Sequence, residues 1–148
     1  MKDIGILLHE TAGLMRRRFE QAARPEGLTL MQWRALGLLE REGPLRQVTI
    51  KEALEASPMT ISDLADRLQA AGLVTRQVDP HDSRAKTLTL TPAGQAKVAG
   101  MHRISEAVFA EVFAGVSPET AAALQDGLQA IKDNLGRTLA APDKEPKR

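Results

Sequence analysis

The sequence predicts a mainly α-helical fold with one small β-hairpin, and three observations predict it. Apolar residues recur every three or four positions over most of the chain, the period of a helix. That period drops to two only between residues 74 and 91, where one pair of short strands is expected. The dipeptides Ser57-Pro58, Thr91-Pro92 and Ser117-Pro118 repeat a helix-start signal: a hydroxyl that accepts a free backbone N–H, then a proline where no N–H is needed. At 148 residues the chain can bury roughly 70% of its unfolded surface. One domain with helical extensions is expected.

Residues 3 to 23 read as the first helix. Ile4, Leu8, Thr11, Met15, Phe19 and Ala22 form one stripe, Leu7 and Leu14 widen it, and Pro25 and Gly27 end it. A second helix, LMQWRALGLLERE, opens at Thr29 or Leu30 and breaks at Gly43-Pro44. Its apolar residues cover so much of the circumference that burial is expected. A short third helix spans about 48 to 55. The fourth starts at Ser57-Pro58, turns Ile61, Leu64, Ala65 and Leu68 inward, and stops at Gly72 in a left-handed terminal position. The hairpin follows. Val74 and Val78 alternate with polar residues, Asp79-Pro80-His81-Asp82 makes the turn, and Leu88 and Leu90 alternate with threonines. One face of it packs and the other is wet. Two long helices, about 92 to 114 and 118 to 140, come next. The segment APDKEPKR, 141–148, is polar and proline-containing, and is expected to be disordered.

Several function classes are excluded. No apolar run approaches the roughly 18 residues of a membrane span, and the N-terminus lacks a secretory apolar core, so a cytoplasmic location is expected. The chain has no cysteine, which removes disulfides, Cys-ligated zinc and a thiol-oxidation switch. His9, His81 and His102 share no ligand spacing, no Ser/His/Asp set has supporting context, and no glycine loop for phosphate appears. No catalytic residue, metal or cofactor is expected. Arg16-Arg17-Arg18 spans several faces of its helix and reads as solvated surface.

Residues 29 to 91 thus give three helices and a hairpin, with the third and fourth helices joined by a tight turn at Ala56 and Ser57. This is the arrangement of a winged helix-turn-helix, whose second paired helix enters the DNA major groove by its N-terminal end. The outward residues there are Ser57, Met59, Thr60, Ser62, Asp63, Asp66 and Arg67. The hairpin beside them reaches the adjacent minor groove, whose negative potential suits an arginine. Arg84 stands at its tip and Lys86 follows on the strand. Asp82 lies two positions before Arg84, where an ion pair fixes the guanidinium before binding and reduces the entropy lost on binding. From the spacing alone, a weak surface ion pair on a solvated turn is the simpler reading.

The segment SPMTISDLADRLQAAGLV followed by DPHDSRAKTLTLTPAG closely resembles the MarR family of winged-helix transcription regulators. The wing pattern Asp82-x-Arg84, Leu88 and Leu90, and Thr91-Pro92-x-Gly94 stand where that family has them; LTLMQWRALGLLE resembles its second helix. The strong likeness covers about 29 to 94. It implies a homodimer on pseudo-palindromic promoter DNA, often released by a small, frequently phenolic ligand. It implies that Arg84 enters the minor groove, that Asp82 positions it, and that helix 57–71 reads the major groove. One departure is Asp63, where many relatives carry a basic or neutral polar residue; it would accept from cytosine N4 or repel phosphate.

Residues 29 to 91 carry eight Lys/Arg and eight Asp/Glu. Phosphate contacts supply most non-specific DNA affinity, so the positive groups must be gathered on one face. A winged-helix protein-interaction module without DNA binding is the alternative that this neutrality and Asp63 favour. The outer helices, 1–28 and 92–140, are too long for a 60-residue module to cover; helices of about 20 residues run about 30 Å. They are expected to pack against each other and a second copy, with Gly100, Gly115 and Gly127 permitting close crossings. A monomer with a helical cap is the competing arrangement. Trp33, the single tryptophan, is expected in the core; a ligand pocket near Met15, Trp33 and the helix from 92 is the further expectation. Together these give a dimeric repressor in which a ligand alters the spacing of two recognition helices.

Overall fold

A computed structural model describes residues 2–140. The expectation for 141–148 lies outside the described residues. The described residues form six α-helices and three short strands: α1 Lys2–Ala23, α2 Leu30–Glu42, β1 Leu45–Arg46, α3 Gln47–Leu54, α4 Pro58–Ala70, β2 Val74–Val78, β3 Lys86–Leu90, α5 Pro92–Val112 and α6 Pro118–Ala140. The chain divides into two compact units after Phe109.

The first unit is built on one core. Trp33, Ala35, Leu36 and Leu39 of α2, Ile50 and Leu54 of α3, and Ile61, Leu64, Ala65 and Leu68 of α4 are all buried in it. Val74 and Leu88 close it from the sheet, and Val98 and Met101 from α5. The expected stripe of α4 is thus its burial pattern, whereas α2, expected to be buried around much of its circumference, leaves Met31 and Leu38 half-buried. Each buried leucine, isoleucine, valine or methionine of this core contributes roughly 1.5–3 kcal/mol relative to exposure.

The helix starts follow the expected chemistry. Thr29 Oγ1 accepts from Gln32 N at 3.2 Å and Gln32 Oε1 accepts from Thr29 N at 2.9 Å, a full capping box. Ser57 Oγ accepts from Thr60 N at 3.1 Å, with Pro58 in the first turn of α4. Gly72, at φ 72°, ends α4 with N–H bonds from Gly72 to Gln69 O and from Leu73 to Leu68 O. The turn between α3 and α4 holds Glu55 at φ 53°, a left-handed non-glycine that composition did not mark.

The wing differs from a plain hairpin. β2 and β3 pair antiparallel with Val74 opposite Leu90 and Val78 opposite Lys86. β1 adds to the far side of β3, with Leu45 opposite Leu88, so the strand order is β1-β3-β2. Two residues after Gly43-Pro44 are too few for a visible period, and their pairing is with residues more than forty positions away. Val78 is 55% exposed, because the packed face ends before the wing's tip.

The Thr91-Pro92-x-Gly94 segment is a splice. Thr91 N donates to Leu73 O at 3.0 Å and Thr91 Oγ1 donates to Gly72 O at 2.6 Å. The same hydroxyl oxygen accepts from Gly94 N at 3.0 Å. A Cβ on Gly94 would stand 2.1 Å from Leu73 O, so only glycine lets α5 start so close to the end of α4. This is the close approach the fold requires. Among the described residues Gly100 meets only an arginine side chain at 3.9 Å, and Gly115 and Gly127 have nothing within 4 Å.

The outer helices stay bare. In α1 only Ala23 is buried, and Ile4, Leu7 and Leu14 are 56%, 63% and 59% exposed. In the second unit, α6 buries no residue, and Leu124, Leu128, Ile131, Leu135 and Leu139 are all exposed.

Candidate nucleic-acid interface

The candidate interface comprises the N-terminal half of α4 and the wing. The sequence signals Ser57, Met59, Thr60, Ser62, Asp63 and Arg67 for DNA contact, and the structure sorts them. Ser57 and Thr60 are occupied with each other: beyond the cap bond, their hydroxyl oxygens lie 2.8 Å apart. Both remain exposed, but their first job is to start the helix. Ser62 is half-buried, and its carbonyl accepts from Arg76 Nη2 at 3.2 Å. Met59 is 82% exposed. Asp63 is paired with Arg67 one turn on, Nε to Oδ2 at 2.9 Å.

A residue the sequence reading passed over ties the wing to this helix. Arg76 of β2 donates from Nη2 to Asp66 Oδ1 at 2.7 Å while also holding the Ser62 carbonyl. Its side chain is 15% exposed and its Nε has no partner. Two neighbouring anchor points on α4 therefore fix the direction of β2. The spacing between 62, 66 and 76 leaves no local signature; a basic residue on the inward half of a strand was the only hint.

The wing loop is ordered by carboxylates acting on backbone. Asp82 Oδ1 accepts from Arg84 N at 3.0 Å. The expected ion pair to the Arg84 guanidinium is not formed: at a separation of two residues in this turn the carboxylate meets the nearer backbone N–H, a short Asx-type bond. The Arg84 side chain makes no ion pair among the described residues. Asp82 thus sets the backbone that carries Arg84 and leaves the side chain to solvent.

Asp79 does more for the loop than Asp82. Its Oδ1 accepts from His81 N at 2.9 Å and its Oδ2 from Arg46 Nη2 at 2.8 Å. Its own N–H donates to Ala85 O at 2.8 Å, closing the turn. The His81 N–H holds the Asp79 carboxyl below its usual range; desolvation opposes it, and the Arg46 charge adds a lesser lowering. Arg46 sits in β1, thirty-three positions away, so nothing local pointed to this pair. Lys86 is half-buried where β3 leaves the wing's tip loop, opposite Val78, and lines a hollow of about 340 Å³ with Arg46, Gln47, Asp82 and Arg84.

These contacts resolve the even charge balance. The acidic side chains Asp63, Asp66 and Asp79 each carry an arginine partner. In the wing's tip region Arg84, Lys86 and Asp82 make no ion pair among the described residues, which leaves one more positive than negative group unpaired there. Field strength at a DNA-facing surface follows from such local imbalance rather than from the net total.

A cavity of about 800 Å³ lies elsewhere in the first unit, between α2, α3 and α5. Trp33, Leu54, Val98 and Met101 line it, and Arg34 and Arg41 stand at its polar side. His102 Nε2 of α5 faces both oxygens of Glu40 of α2, at 2.8 and 2.9 Å, along its edge. Met15 is not among its lining residues. No group of three metal-binding side chains occurs among the described residues, and no helix among them is long and apolar enough to cross a membrane.

The sequence signature of the MarR family matches residues 26–85. The HTH-type transcriptional repressor NicR of Pseudomonas putida is 30% identical over 118 residues, 77% of this chain and 75% of NicR. The HTH-type transcriptional repressor MdtR of Bacillus subtilis is 29% identical over 97 residues, 66% of this chain and 63% of MdtR, so that match spans a little under two thirds of the relative. The solved structure of Bordetella bronchiseptica BpsR, whose DNA binding is regulated by 6-hydroxynicotinic acid, is similar with a TM-score of 0.78 at 28% identity, over 88% of this chain and 98% of that one.

Proposed function

The chain belongs to the MarR family of winged helix-turn-helix transcriptional regulators, which are DNA-binding proteins rather than enzymes, and on that premise we propose that it is a homodimeric, ligand-responsive repressor of a pseudo-palindromic promoter site. In this reading residues 29–91 are the DNA-binding module, and 1–28 with 92–140 carry the dimer. α4 enters the major groove through Met59, Asp63 and Arg67, with Ser57, Thr60 and Ser62 shaping its tip. Arg84 enters the minor groove, Asp82 sets its backbone, and Lys86 contacts phosphate. Acting on DNA puts this work inside the cell.

The observation that carries the reading is the pairing of a wing-tip arginine free of ion pairs with an α4 whose carboxylates are neutralised. A cation held by a protein partner has little to offer phosphate; this one is held only by its backbone. The bare apolar stripes of α1 and α6 support the dimer, because contiguous exposed apolar faces of this extent mark association surfaces. Two copies related by a two-fold axis would present their recognition helices to half-sites about one DNA turn, or a multiple of it, apart.

The cavity beside Trp33 is the effector site in this reading. Its volume of about 800 Å³ lies in the range that holds a small aromatic molecule. It is lined by both α5 and α2, so an occupant acts on the helix that carries the dimer and on the module that carries DNA contacts.

The test is a mobility-shift series on a duplex containing an inverted repeat from the DNA beside the gene. Affinity should fall steeply with salt, and Arg84→Ala should weaken binding about 5- to 150-fold. Weak binding with a flat salt response would favour the protein-interaction module instead. Quenching of Trp33 by a panel of phenolic acids tests the effector site, and no response to any of them counts against it.

A further inference from the structure

Resting on the DNA-binding reading above, we infer that Met59 and the Asp63–Arg67 pair set the base preference of this protein: Met59 reads a thymine methyl group and Asp63 reads a cytosine amino group within about two base pairs of it.

The exposed end of α4 offers few unengaged side chains. Ser57 and Thr60 bond to each other and to the helix start. Ser62 is half-buried under Arg76. Asp66 is held by Arg76. Met59 remains, with no contact that the fold needs and 82% of its surface in solvent. An unbranched thioether there does nothing for the core. In a major groove, the partner that rewards an apolar side chain is the thymine C5-methyl, the one apolar group on the base edges.

Asp63 follows one turn later on the same side. The two positions are about 6 Å apart along the helix axis, against a rise of about 3.4 Å per base pair. A lone carboxylate in this place would be repelled by phosphate. Here Arg67 Nε holds Oδ2 at 2.9 Å, which offsets that charge, and Oδ1 makes no hydrogen bond among the described residues. Both side chains of the pair are about two-thirds exposed, at 63% and 66%. An acceptor without a donor, presented in the groove, matches cytosine N4–H₂. The ion pair also orders Asp63 before binding, so less rotamer freedom is lost on contact.

The experiment begins with selection of random duplexes by the full-length protein. The recovered half-site should hold a thymine and a cytosine within two base pairs. Replacing that thymine by uracil, which removes only the methyl, should weaken wild type about 4-fold and leave Met59→Ala unchanged. Exchange of the C·G pair for T·A should weaken wild type about 10-fold, whereas Asp63→Ala should bind both duplexes alike and bind random DNA more tightly through the released Arg67. Both substitutions are at exposed positions, and matching thermal unfolding confirms that each variant folds. An operator indifferent to methyl removal at every thymine, or an Asp63→Ala protein that selects the wild-type bases, overturns the inference and leaves the DNA reading standing. Failure to recover any recurrent site, with weak salt-insensitive binding, overturns the DNA reading and this inference with it.

Discussion

α2 and α6 are equally helical on paper, but their apolar stripes meet different fates. Those of α2 vanish into a core shared with α3, α4, the wing and α5, where Leu36 is wholly buried. Those of α6 stay in solvent, with Leu139 at 84% exposure and no buried residue in the helix. Periodicity alone does not distinguish these cases, since it records that a helix has an apolar side and not what covers it. The lesson is that the inner module carries its own partner surfaces, while nothing among the described residues buries a residue of α6.

The sharpest way to break this contrast is to charge α6. Leu128→Glu with Ile131→Glu should leave one chain rather than two in analytical ultracentrifugation. DNA affinity should then fall about 10²- to 10⁴-fold, as expected when two linked half-site contacts become one. A double variant that still sediments as two chains would mean that α6 is not the paired surface.

A smaller effect comes from the inner module. Gly94→Ala forces a methyl to within 2.1 Å of the Leu73 carbonyl oxygen. It should lower stability by about 3 kcal/mol, read as a fall of roughly 6–12 °C in Tm. This loss should be independent of protein concentration, unlike that of an α6 variant, whose stability follows association. An unchanged Tm would show that the splice gives way easily.

The smallest effect concerns the wing. The folded Asp79 carboxyl is held below its usual range, chiefly by the His81 N–H and then by Arg46. A depressed carboxylate contributes order above its unfolded pKa and loses it as pH falls through the folded value. Amide exchange at His81 and Ala85 should therefore stay slow through the ordinary carboxylate range and quicken only at more acid pH. Asp79→Asn should quicken it at neutral pH and remove the acid step. An acid step that survives in Asp79→Asn would assign it to another group.

What the sequence made legible was local. The Ser57-Pro58 start, the Gly72 stop and the switch to period two all rest on bonds between neighbours in the chain, and each element formed as expected. The Asp63–Arg67 pair lies within the same reach, four residues apart, yet it was not among the expected contacts. The other contacts that were missed join distant positions: β1 to β3, Arg46 to Asp79, Arg76 to Asp66. Their partners are chosen by the packed core, which no short window contains. Asp82 illustrates the middle case, since the residue was legible and its bond was not. The carboxylate took the backbone N–H of Arg84 in preference to its guanidinium.

The knot at Thr91 gives α5 and α4 a common pivot. α4 has 13 residues, so its reading tip stands about 20 Å from that pivot. A turn of only about 10° there, acting on a lever of that length, sweeps the tip by about 3.5 Å, the rise of a single base pair. A crank built to this ratio converts a barely visible tilt at its axle into a full step of misregister at its far end.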